Sequence, residues 1–194
     1  MSRSSWVEQL ASRQPQEREH AAALLYAQGR ALGDAATAAW RADAEFAALL
    51  VGEPTVGIAV RPENFRRIRA AFGEPQLSIV PPEQDAQEFE LHFPAASGAV
   101  KLDILTHRTM DAAGALFRFL EKFGEGIQQV EYFVRDVDRA TSIVRARFGL
   151  VPVYPQARPG ADQTRVNFIL ASTPEGKRVL IELVEDKEAM GQEN

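Results

Sequence analysis

The chain has 194 residues, a net charge of −5 and a pI near 5.3, and it contains no cysteine. That length carries a full hydrophobic core without staples, while the missing cysteines exclude disulfides, thiolate nucleophiles and Cys-ligated zinc. The acidic balance argues against a nucleic-acid partner, and no apolar run approaches the roughly 20 residues that span a bilayer, so no membrane partner is expected.

Residues 1–50 are alanine-rich and helical in period, with Trp6, Leu10, Leu24, Leu25, Leu32, Trp40, Phe46, Leu49 and Leu50 spaced as apolar stripes. The N-terminus, Met1 to Trp6, lacks the apolar stretch of a secretion signal, and together with the missing cysteines this predicts a cytoplasmic protein. Pro15 suits the first turn of a helix over about 15–30, and Gly33-Asp34 reads as a stop followed by an N-cap, opening a second helix to about Leu50. This extension is expected to pack on the main domain. The alternatives are a lid or a dimerisation arm, the latter making the protein a homodimer.

From Thr55 the pattern changes to strands. Thr55–Val60 is a short strand, and Pro62 opens a helix through Phe65, Ile68 and Phe72 to Gly73. Leu77–Val80, Glu88–Phe93 and Val100–Leu105 read as three further strands, and Asp111–Phe123 as a connecting helix. The order then recurs: strand Gln128–Val134, helix Asp138–Phe148, then strands Leu150–Tyr154, Arg165–Ala171 and Arg178–Val184. The offset from Thr55 to Gln128 is 73 residues, so a βαβββ unit is written twice.

Period-two alternation sorts the polar residues of these strands. Glu88, Glu90 and His92 share a face, as do Lys101, Asp103 and Leu105, and so do Ile127, Gln129, Glu131 and Phe133. Glu182 interrupts the apolar run Val179–Val184, and Asp103 interrupts Val100–Leu105. A carboxylate in such a place is costly unless it is paired or functional. His20, His92 and His107 have no common ligand spacing, and no phosphate-binding glycine motif is present.

The order of these pieces resembles the vicinal oxygen chelate (glyoxalase-like) superfamily, and within it the methylmalonyl-CoA epimerases. The resemblance covers about residues 54–186. It is carried by Gly126-Ile127-Gln128-Gln129, where those enzymes have Gly-hydrophobic-His-His, and by Lys101-Leu-Asp-Ile-Leu, Arg165-Val-Asn-Phe and Leu180-Ile-Glu-Leu. It implies an α+β fold in which two paired βαβββ modules form a half-open barrel, preceded by the N-terminal helical extension. Module one is then 54–107, the linker helix 111–123 and module two 127–186, with 187–194 as a tail.

The resemblance also implies a site. The family's metal ligands fall at Thr55, Asp103, Gln129 and Glu182, where both imidazoles have been replaced, and its two catalytic bases fall at Glu90 and Glu182. No cofactor is therefore expected beyond weak binding of a hard divalent ion such as Mg²⁺. Gln128, Gln129, Glu131, Asp103 and Arg158 are the expected substrate-binding residues, with Arg158 suited to a phosphate or carboxylate. Clustered carboxylates raise one another's pKa, which suits either an acid at neutral pH or a cationic ligand. Two functions follow. One is an epimerase- or isomerase-like enzyme moving a proton next to the carbonyl of a small molecule or thioester. The other is a non-catalytic small-molecule-binding or sequestering protein.

Overall fold

The computed structural model describes residues 3–95, 98–110 and 114–185. The expected start of the linker helix at 111–113 and the tail at 187–194 lie outside them. Among the described residues the elements run α1 (Arg3–Leu10), α2 (Pro15–Arg41), α3 (Ala44–Leu49), β1 (Thr55–Ala59), α4 (Pro62–Ala71), β2 (Ala86–Ala95) and β3 (Gly98–His107). They continue with α5 (Ala115–Phe123), β4 (Gly126–Phe133), α6 (Val137–Phe148), β5 (Arg158–Pro159), β6 (Arg165–Ser172) and β7 (Arg178–Glu185). The α+β organisation expected from the repeat is present, with a strand-helix-strand unit in each half.

The chain divides into two compact units. The first joins the residues up to Gly29 with Val56–Gln128, and the second joins Arg30–Thr55 with the residues from Gln129 onward. In the first, β3 pairs parallel to β1 and antiparallel to β2. One sheet face presents Val56, Ile58, Phe89, Leu91, Leu102 and Ile104 to Phe65 and Ile68 of α4 and to Val7, Leu10, Ala22 and Leu25 of the N-terminal helices, forming one core. The burial follows from alternation: these positions are every second residue of their strands.

The second unit repeats the scheme. β7 pairs parallel to β4 and antiparallel to β6, whose other edge takes β5. Val130, Tyr132, Ile169, Ile181 and Leu183 pack against Val137, Ala140, Ile143 and Val144 of α6, together with Trp40 and Phe46. The sequence sets the limits of α6 sharply. Asp136 caps its start by accepting from the Arg139 amide at 2.8 Å, and Gly149 ends it at φ 66, a left-handed conformation suited to glycine.

Three expectations need correction. Gly33-Asp34 does not end a helix, because α2 runs unbroken from Pro15 to Arg41. The glycine is there for closeness: a Cβ on Gly33 would lie 2.7 Å from Val130 Cγ1, and one on Gly29 would lie 2.2 Å from Val56 Cγ1. Asp34 accepts from the Tyr132 hydroxyl at 3.1 Å, and the N-cap belongs to Asp43, which opens α3. Leu77–Val80 forms no strand; it is tied to β2 by the Ser78 amide donating to the Glu88 carbonyl at 3.1 Å. Leu150–Tyr154 is reduced to a single bridge between Pro152 and Ile169, since proline supplies no amide to a ladder.

Candidate functional site

The face of the second unit's sheet turned away from α6 carries the expected polar residues. Parallel register sets Gln129 beside Leu180, Glu131 beside Glu182 and Phe133 beside Val184. On the other side of β7, antiparallel register sets Phe168 opposite Glu182, with Leu170 opposite Leu180 and Val166 opposite Val184. Alternation therefore produces a largely apolar surface with two carboxylates and one amide at its centre.

Those three groups are bonded to one another. Gln129 Nε2 donates to Glu131 Oε1 at 3.0 Å and to Glu182 Oε2 at 2.5 Å. Gln129 and Glu131 are each 7 % exposed and Glu182 is 8 % exposed. Two acceptors on one amide nitrogen fix which way the amide is turned: its NH₂ faces the carboxylates and its carbonyl oxygen faces elsewhere. The Gln129 amide thus bridges two buried carboxylates, an arrangement suited to receiving a positively charged group.

The first unit places Glu90 and Asp103 directly opposite each other on β2 and β3, with Gly57 of β1 on the far side of Asp103. Asp103 is buried, whereas Glu90 is exposed. Thr55, the first residue of β1, is buried. Gln128 neighbours Gln129 in β4, so alternation sends its side chain to the opposite face, where its Oε1 is buried without a hydrogen-bond partner among the described residues. Arg158, in β5, is exposed and lies with its guanidinium carbon 3.9 Å from the centre of the Tyr154 ring.

Asn167 is not among the site residues expected from the sequence. It is fully buried in β6; its Oδ1 accepts from the Tyr154 and Phe168 amides at 3.3 and 2.9 Å, and its Nδ2 donates to the Tyr154 carbonyl at 3.1 Å. The signal was available, since an asparagine interrupts the otherwise apolar run Val166–Leu170 much as Glu182 interrupts its own strand.

A transition metal does not fit these residues. Thr55 and Gln129 stand where the resemblance puts imidazoles, and the Gln129 amide turns donor hydrogens toward Glu182 rather than a lone pair that could share an ion with it. Among the described residues no three His, Cys, Asp or Glu side chains come together in a group able to hold a metal ion. No helix among them is long and apolar enough to cross a membrane.

Two sheet units, each with a helix on one face and polar residues on the other, give the chain the vicinal oxygen chelate fold, in line with solved structures it resembles. The structure is similar to methylmalonyl-CoA epimerase from Mycobacterium tuberculosis, with 29% identity over 74% of this chain and 93% of that one and a TM-score of 0.56. It is equally similar to a Streptomyces coelicolor methylmalonyl-CoA epimerase variant in complex with 2-nitronate-propionyl-CoA, with 29% identity, 71% and 96% coverage and a TM-score of 0.56. A methylmalonyl-CoA epimerase in complex with methylmalonyl-CoA and NH4+ matches at 27% identity, with 72% and 95% coverage and a TM-score of 0.54. No protein-family model matches the chain, and no curated protein matches it.

Proposed function

We propose that the protein is an epimerase- or isomerase-like enzyme that moves a proton at the carbon next to the carbonyl of a small acyl compound, with a thioester as the best candidate substrate. The supporting observation is the single amide of Gln129 bonded to both Glu131 and Glu182 on an apolar sheet face. Glu182 is assigned as acid/base group. Its carboxylate takes the proton from the carbon, and the electron pair left behind moves onto the carbonyl oxygen as an enolate. Return of the proton completes the exchange. Gln129 holds the Glu182 oxygen in place, and Glu131, on the same amide, tunes its proton affinity. Asp103 is assigned to orienting the substrate; Gln128, whose side chain lies on the other face of β4, is given no part in it. The resemblance gives Glu90 the part of second base.

Solved relatives that hold 2-nitronate-propionyl-CoA or methylmalonyl-CoA support the choice of a thioester. The test is solvent-deuterium incorporation into methylmalonyl-CoA by the metal-free protein. Incorporation that depends on Glu182 supports the proposal, whereas a bound thioester that never exchanges removes it.

The carboxylate pair also favours a second reading, a binding protein for a cationic ligand. An epimerase structure that holds NH4+ alongside its thioester lends this reading support. It requires binding of organic cations to weaken in Glu131→Gln and Glu182→Gln alike, with no exchange in the parent protein.

A further inference from the structure

The face bearing Glu182 carries a second group of side chains that proton transfer leaves unused. Phe168 stands opposite Glu182 in the β6–β7 register. The Tyr154 ring meets the Phe168 ring edge-on, with centroids 6.0 Å apart, and the Arg158 guanidinium lies against the Tyr154 ring. From the strand position beside a buried carboxylate, two half-buried rings in contact thus lead to an exposed cation. Among the described residues Arg158 makes no ion pair. Its charge is stacked on the Tyr154 ring, a packing that uses the guanidinium's face and leaves its donor edge for an incoming anion.

The segment that carries Tyr154 and Arg158 is fastened at both ends, although only its last two residues, β5, are strand. At one end Asn167 holds the Tyr154 backbone by both its amide and its carbonyl. At the other, Arg158 and Pro159 pair with Val166 and Arg165, and the Gly160 amide donates to the Thr164 carbonyl at 2.9 Å. A fully buried asparagine is retained only where its bonds are satisfied, and those of Asn167 go to the backbone beneath the two rings.

We infer that Tyr154 and Arg158 form an anion-receiving arm of the site, positioned by Asn167, that takes a carboxylate or phosphate of the substrate and leaves the carbon next to the carbonyl at Glu182. The inference rests on the acid/base reading of Glu182 and adds the substrate's charge to it. A ligand with an anionic end and an uncharged reacting end is oriented by this polarity. A simple cation is repelled at one end, and a neutral compound loses the charge-assisted hydrogen bonds at the other.

The experiment measures calorimetric binding of methylmalonyl-CoA, propionyl-CoA and methylmalonyl-pantetheine to the parent and to Arg158→Gln, an exposed substitution that leaves the core untouched. Arg158→Gln should weaken methylmalonyl-CoA binding on the order of tenfold and raise KM for deuterium exchange with kcat within about twofold. If the arm takes the carboxylate, the loss recurs with methylmalonyl-pantetheine and is absent with propionyl-CoA; if it takes a phosphate, the pattern reverses. Asn167→Ala should reproduce the KM effect in the parent and add little in the Arg158→Gln background. Asn167→Asp, which keeps the shape and loses the Nδ2 donor, serves if the alanine variant does not fold. Equal binding of all three thioesters by parent and Arg158→Gln overturns the arm, as does a parent that binds none of them. A parent that binds but does not exchange, with binding still weakened in Arg158→Gln, removes the acid/base reading and leaves the arm standing.

Discussion

A Cβ added to Gly33 would sit 2.7 Å from Val130 Cγ1 and 2.9 Å from the Tyr132 hydroxyl, so α2 lies at Gly33 too close to these side chains to admit one. The sign of a glycine-to-alanine change therefore differs from that of an exposed helix. In an open helix the change gains about 1 kcal/mol; overpacking a filled core costs about 1–3 kcal/mol. Gly33→Ala and Gly29→Ala should each lower stability in urea unfolding, and Gly33→Val should lower it further. A gain of about 1 kcal/mol from either alanine would show that the helix does not rest on these strands.

Tyr132 links stability to alkaline pH. Its hydroxyl is enclosed by Thr37 and Asp34, and burial pushes its pKa from 10.0 up to about 12. The native state favours the neutral phenol, so the stabilisation is fully present below the unfolded pKa of 10.0 and is lost as pH rises toward about 12. Unfolding free energies measured across that window should fall more steeply for the parent than for Tyr132→Phe. Identical slopes would contradict the burial of this hydroxyl.

Metal content is a third expectation. Protein purified without chelator should hold far less than one equivalent of cobalt, nickel, zinc or iron, because Thr55 and Gln129 supply no imidazole. Thr55→His combined with Gln129→His should create measurable affinity, given that Asp103 and Glu182 already supply oxygens. Stoichiometric metal in the parent would show a ligand set other than the one assigned here.

The strands and module helices were legible because burial imposes simple periods on sequence. Val130 and Tyr132 alternate with Gln129 and Glu131, and Ile181 and Leu183 alternate with Glu182, so the polar face could be listed before the fold was known. Gly33 was misread because a helix-stopping glycine and a glycine required for close approach look the same in one dimension; only the neighbour Val130 distinguishes them. Leu150–Tyr154 has the composition of a strand, but Pro152 removes a donor and Asn167 provides the missing backbone bonds from a distant position. The bonding of Gln129 to two carboxylates was likewise out of reach, since alternation gives a face without giving a rotamer.

The most direct measurement is solvent-deuterium exchange into methylmalonyl-CoA by the parent, Glu182→Gln and Glu90→Gln. Glutamine at 182 keeps the shape and most hydrogen-bonding capacity of the site while removing the proton acceptor. Exchange by the parent should fall on the order of a hundredfold or more in Glu182→Gln, with thioester affinity within a few-fold. Exchange that survives in Glu182→Gln and disappears in Glu90→Gln would contradict the assignment and leave Glu90 as the base.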